Sequence, residues 1–189
     1  MFIFKKKYFF IIESIKDINL KNIKNFGKYS IIYRNNSPEN IDKLKKFRLK
    51  CKIKRIPFFV ANNINLIEAL KADGLYISAY NKKLISNYLR RNFKIIGSAH
   101  NIKEINLKKL QGCTEIILSR LFKTSYKNKK DFLGVIKFNL LSKLMNTTLT
   151  PLGGINLKNL NNLKNVNCEN VALSSLVKNE SNKIHTSLR

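Results

Sequence analysis

The chain has no tryptophan, and only three prolines, seven glycines and three cysteines among 189 residues. Glycine and proline this scarce exclude a collagen-like repeat and a Gly/Pro-rich low-complexity chain. Cys51, Cys113 and Cys168 are odd in number and far apart, with no Cys-x-x-Cys and only two histidines to accompany them. Neither a disulfide framework nor a structural zinc site is expected, and a reduced, cytoplasmic protein is the economical reading. No apolar run approaches the ~18 residues of a membrane helix, so no membrane partner is expected. The run Tyr8 to Ile12 follows Lys5 to Lys7, but it is too short for a secretory signal core. Glu13 and Asp17 come next with no small-residue cleavage site, and the run reads as a first strand.

Acidic residues are the other shortage. Eleven Asp and Glu face 37 Lys and Arg, a formal net charge of +26. Such a field attracts nucleic acid, anionic lipid or phosphorylated metabolites. A genome rich in A/T codons would also enrich Lys, Asn and Ile, and the lysines are dispersed rather than gathered in one arm. Charge alone therefore assigns no partner. With 44% hydrophobic and 25% charged residues, the chain has the composition of one globular domain of ordinary size.

Short apolar runs alternate with helix-patterned segments. The expected strands are Tyr8 to Ile12, Ser30 to Tyr33, Phe58 to Ala61, Gly74 to Ser78, Ile95 to Gly97, Glu115 to Leu118, Thr148 to Leu152 and Asn170 to Leu173. Between them, apolar residues recur every three or four positions, as in Ile41, Leu44, Phe47 and Leu49 to Cys51, or Leu84, Ile85, Tyr88 and Leu89. Ser37-Pro38-Glu39 reads as a helix start, with Ser37 as the cap and Pro38 in the first turn. Strands that alternate with helices pair in parallel through right-handed crossovers. Eight such units close into a (β/α)₈ TIM barrel, in a short single-domain form spanning 1–177, with a polar tail over 178–189. A doubly wound sheet is the rival fold, but Ile12-Glu13-Ser14 after the first strand has no glycine-rich nucleotide turn.

In a parallel barrel, phosphates commonly bind beyond the last two strands. Gly153-Gly154-Ile155-Asn156 after the seventh strand reads as the opening of a helix, and Ser174-Ser175 follows the eighth. Glycines allow close backbone approach and serine hydroxyls add donors, so the pair reads as a phosphate cup. Taken singly, a Gly-Gly is an ordinary turn and a Ser-Ser an ordinary cap.

The same segments carry a family resemblance. Ile56-Pro57-Phe58-Phe59-Val60, Ala72-Asp73-Gly74-Leu75-Tyr76-Ile77, Ile96-Gly97-Ser98-Ala99-His100, Phe122-Lys123-Thr124 with Lys127, Gly153-Gly154-Ile155-Asn156 and Val171-Ala172-Leu173-Ser174-Ser175 occur in order along the chain. In these segments the chain resembles thiamine-phosphate synthase and its TenI-type relatives. The resemblance implies a (β/α)₈ enzyme of thiamine biosynthesis that joins a thiazole phosphate to a pyrimidine methyl diphosphate and releases pyrophosphate.

It also implies roles. Arg34, Ser98 and Lys127 fall on catalytic, diphosphate-facing positions, and Asn62, Asn81, Thr124, Gly153, Gly154, Ser174 and Ser175 fall on substrate-binding ones. Two positions where the family carries Mg²⁺-binding aspartates are Asn62 and Asn81 here, so no metal ligand is expected although the family uses Mg²⁺. Ile32 and Asn36 replace the Gln and Lys that flank the arginine in the family motif, and Tyr126 replaces a threonine. A neutral amide lends Mg²⁺ an oxygen but no charge.

Each residue has a plainer role to set beside this one. Arg34 or Lys127 would otherwise be solvated charges, Ser98 a helix cap, and His100 a surface histidine. A TenI-like tautomerase or a non-catalytic phosphate-ligand binder is the alternative within the family; Arg120 stands where the tautomerase histidine is expected. From another class, Tyr80, Tyr88 and Phe93 among basic residues suggest non-specific nucleic-acid or polyanion binding, although no sequence-specific RNA- or DNA-binding signature accompanies them. The ligand's identity and the oligomeric state are left open by the sequence.

Overall fold

The structure is a computed structural model that describes residues 6–23, 27–35, 37, 39–84, 93–124, 131–175 and 177. The eight strands are β1 (Lys7–Ile12), β2 (Tyr29–Tyr33), β3 (Phe58–Ala61), β4 (Gly74–Ile77), β5 (Lys94–Ala99), β6 (Glu115–Ser119), β7 (Thr148–Leu152) and β8 (Asn170–Leu173). All pair in parallel in chain order, and β8 returns to β1 through Tyr8↔Val171 and Phe9↔Ala172. The chain is a closed (β/α)₈-type barrel, and every expected strand is present with ends shifted by at most two residues.

The strands are short apolar runs because both faces are covered. Alternate residues point inward, so Phe9, Ile11, Ile32, Phe59, Tyr76, Ile96, Ile117 and Ala172 fill the barrel. The opposite set, with Phe10, Ile31, Val60, Ile116 and Val171 among it, packs beneath the surrounding helices. Burying each such side chain stabilises by about 1.5–3 kcal/mol. The described α-helices are α1 (Ile41–Ile53), α2 (Ile64–Leu70), α3 (Ile102–Leu110) and α4 (Gly134–Leu144), with short 3-10 helices over Ile15–Asp17, Leu20–Asn22 and Leu160–Asn165.

Three expectations for the helices are corrected. Ser37 does not cap α1: its N–H donates to Asn35 Oδ1, and Asn40 Oδ1 instead receives the Asp42 and Lys43 N–H groups. On α1, Leu44, Phe47 and Cys51 face the core, but Ile41 and Leu49 are exposed, and Arg48 is buried in their stead. The Arg48 guanidinium donates to Asp73 Oδ1 at 2.9 Å and to the Lys71 carbonyl, tying α1 to the entrance of β4. Finally, Gly153-Gly154 does not open a helix directly, because the 3-10 helix begins only at Leu160. Of the helix expected around Leu84 to Leu89 only Leu84 is described, and it is exposed and not helical; the rest, and the tail beyond 177, lie outside the described residues.

Candidate functional site

Parallel closure sends the first residue beyond every strand to one rim. Arg34, Asn62, Ser78, His100, Arg120, Gly153 and Ser174 all arrive there, each directly following its strand. Sequence-distant residues meet because the topology has only one carboxyl-terminal end.

On the β6 to β8 side, a cavity of about 280 Å³ opens at this rim. Arg34, Thr124, Gly153, Gly154, Ser174 and Ser175 line it, six residues expected from sequence, and His100, Ser119 and Arg120 complete the polar wall. The volume lies near the lower end for small-molecule pockets, room for one compact phosphorylated heterocycle. Gly154 has φ +71°, and a Cβ there would overlap the Phe122 carbonyl. Only glycine meets both conditions. The Gly154 carbonyl is drawn aside by Asn159 Nδ2 at 2.7 Å, which fixes the turn. The Thr124 hydroxyl, on the same wall, is the buried side-chain oxygen left without a hydrogen-bond partner among the described residues.

Arg34 enters from β2. Its backbone N–H donates to the Ile12 carbonyl, and its guanidinium meets Glu13 at 3.3 Å with both side chains well exposed. Such a pair contributes at most about 1 kcal/mol, so the guanidinium is readily recruited by an anion. Beneath the rim, Tyr76 is fully buried, with Ser98 and Arg34 as its polar neighbours. Burial pushes the phenol pKa up, and these two partners pull it the other way. Ser98 is thus a buried barrel residue and not a helix cap; α3 is capped by Asn101, whose Oδ1 receives the Glu104 N–H. Tyr76 was missed by sequence reasoning, although strict alternation along β4 would have turned it inward.

His100 donates its N–H to Glu104 Oε2, and its Nδ1 lies 3.0 Å from the same oxygen. Burial raises the Glu104 pKa, but the His100 and Asn101 hydrogen bonds outweigh it and hold the carboxyl below its ordinary value. The histidine is half-exposed and oriented by this carboxylate at the edge of the cavity.

Asn62 and Asn81 sit on the β3–β4 side, away from that cavity's lining. Asn62 Nδ2 donates to Ser78 Oγ at 2.6 Å and to the Tyr80 hydroxyl at 2.9 Å. Its Oδ1 accepts from the Ser78 N–H at 3.0 Å and from Asn81 Nδ2 at 3.2 Å. An amide has two donor hydrogens and two acceptor lone pairs, and all are used. Neither residue offers a carboxylate, and no cluster of three or more His, Cys, Asp or Glu able to hold a metal occurs among the described residues. The donor set does not fit Mg²⁺.

Lys127 lies outside the described residues, as do Asn36, Tyr126 and Tyr88. Of the aromatics that suggested polyanion stacking, Phe93 packs against the core and the Tyr80 hydroxyl is engaged by Asn62. Cys113 is buried, and burial pushes its thiol up to about 12, as expected of an inert side chain. No described helix is long and apolar enough to cross a membrane.

The sequence profile of the family described as thiamine monophosphate synthase matches residues 16–177. The chain belongs to this family. A thiamine-phosphate synthase of Prochlorococcus marinus subsp. pastoris is 35% identical over 128 residues, covering 66% of this chain and 36% of the relative. A second, from Prochlorococcus marinus strain SARG, is 28% identical over 156 residues, covering 80% of this chain and 45% of the relative. The chain thus spans less than half the length of either. The solved thiamine phosphate pyrophosphorylase of Pyrococcus furiosus superposes with a TM-score of 0.75 over 98% of this chain and 95% of its own, at 17% identity. That similarity is one of fold.

Proposed function

We propose that the rim cavity binds the phosphate of a thiazole phosphate and that the chain acts as a thiamine-phosphate synthase-like transferase. The observation that carries the reading is the Thr124 hydroxyl, buried without a partner among the described residues in a wall shared with Gly154 and Ser175. A buried hydroxyl left unbonded costs about 1–3 kcal/mol, which a phosphate oxygen would recover.

In the reaction, the bond from the pyrimidine methylene to its diphosphate breaks as the thiazole nitrogen bonds to that carbon, and pyrophosphate leaves. The protein's task is to hold the two rings in line and to stabilise charge on the departing oxygens. Gly153, Gly154, Thr124, Ser174 and Ser175 would seat the thiazole phosphate. Arg34, loosely paired with Glu13, would swing onto the diphosphate, and Lys127 would supply a second cation. Ser98 and Tyr76, buried beneath the rim next to Arg34, would set its approach. Asn62 and Asn81 stay on the β3–β4 side of the rim, outside this cavity's lining, and no step runs through a metal.

The test has two arms, calorimetric binding of the thiazole phosphate and formation of thiamine phosphate from both substrates. Binding abolished by Ser175→Asp, together with product formation, supports the transferase. Binding without product in either Mg²⁺ or EDTA assigns instead a non-catalytic ligand binder, a reading favoured by the saturated Asn62 amide. Absence of binding rejects the phosphate site itself.

A further inference from the structure

Behind the Asn62–Asn81 wall lies a charge that the reading above does not use. Lys108, on α3, is fully buried. Its Nζ donates to the Ser78 carbonyl at 2.8 Å, the Asn81 carbonyl at 2.8 Å and Gln111 Oε1 at 2.9 Å. All three ammonium hydrogens therefore end on neutral oxygens. Gln111 in turn donates through Nε2 to the Asn81 and Lys83 carbonyls at 3.0 and 2.7 Å. Gly97 makes room for the lysine stem, since a Cβ there would come within 3.0 Å of Lys108 Cγ and Cδ. Burying an ammonium with no carboxylate partner costs several kcal/mol unless its hydrogen bonds are complete. Here they are complete, and every one beyond Gln111 falls on the loop that follows β4.

That loop carries Asn81, whose side chain closes on Asn62. In the family resemblance, this is where carboxylates and Mg²⁺ would order the mouth. Here neutral amides face the mouth, and a protein cation grips the backbone behind them. We propose that Lys108 is a positioning residue, a built-in cation that fixes the loop after β4, so that anion binding at this mouth proceeds without a divalent metal. The second clause rests on the phosphate-binding reading; the first does not.

The experiment is hydrogen exchange on the full chain, reading amides 78–83 in EDTA and in Mg²⁺. Equal protection in the two buffers, with about tenfold faster exchange of these amides in Lys108→Met and no recovery on adding Mg²⁺, is the expected result. Slower exchange in Mg²⁺ for the unaltered chain, or unchanged exchange in Lys108→Met, overturns it. Should Lys108→Met fail to fold, Mn²⁺ titration of the unaltered chain by electron paramagnetic resonance decides. No saturable site is expected, and one bound Mn²⁺ per chain overturns the proposal.

Calorimetry with inorganic pyrophosphate tests the second clause, with equal affinity expected in EDTA and Mg²⁺. Affinity confined to Mg²⁺ overturns metal independence. Absence of affinity in both buffers overturns the anion-site reading, and with it the second clause, while the exchange result still judges Lys108.

Discussion

Asn81 Nδ2 donates to Asn62 Oδ1 at 3.2 Å, joining the ends of β3 and β4 through two neutral amides. Asn62 also sits at φ +55°, in the left-handed region that asparagine tolerates better than most residues. Asn62→Ala would strand the Ser78 N–H and place alanine in that conformation. A loss of about 2–4 kcal/mol is expected in chemical denaturation. Asn81→Ala, which leaves the Ser78 contacts of Asn62 intact, should cost no more than about 1.5 kcal/mol.

Thr124→Val separates stability from binding. The hydroxyl has no partner among the described residues, so exchanging it for a methyl group should leave the melting temperature unchanged or slightly raised. Thiazole phosphate affinity should fall by about tenfold, as one hydrogen bond to a charged group is lost. Equal affinity of variant and parent, measured by calorimetry, would remove Thr124 from the site.

Glu115 is 2% exposed and receives Lys94 Nζ at 2.7 Å, Thr150 Oγ1 at 2.6 Å and Asn170 Nδ2 at 2.6 Å. Removing the carboxylate leaves two buried donors and the lysine unanswered. Because Lys94 is solvated, the cost lies with the two buried donors, and Glu115→Ala should destabilise by about 2–4 kcal/mol in urea denaturation. The carboxylate of a Lys94→Ala chain would keep its Thr150 and Asn170 bonds.

The buried thiols set an alkaline limit. Burial raises both Cys51 and Cys113 to about 12. A thiol whose folded pKa lies above its unfolded value favours the folded state fully at pH below the unfolded value. That contribution is lost as pH climbs from there towards 12. Stability should therefore decline above about pH 9, and Cys113→Ala should flatten the decline. At neutral pH, iodoacetamide should leave both thiols unmodified until the chain is unfolded, as read by mass spectrometry.

The strands were legible because they are buried on both faces: Tyr8 to Ile12 or Glu115 to Leu118 needs no partner to be recognised as an interior run. Glycine and serine spacing likewise located the cavity, since rim positions follow from strand ends. Other features depend on distances that spacing does not encode. The cap moved from Ser37 to Asn40 because either can receive helix N–H groups, and only the loop's course selects one. Arg48 and Lys108 look like solvated charges in sequence, yet each is buried because carbonyl oxygens from another segment converge on it. Tyr76 read as one more strand residue until the Ser98 and Arg34 groups above it were in place.

The Glu115 cluster lies where β5, β6 and β8 begin, below the packed Phe9, Phe59 and Ile117 side chains. A vessel stoppered at its base has one doorway. Whatever the rim cavity takes in must therefore arrive and leave on the carboxyl-terminal side alone, past the residues that follow the strands.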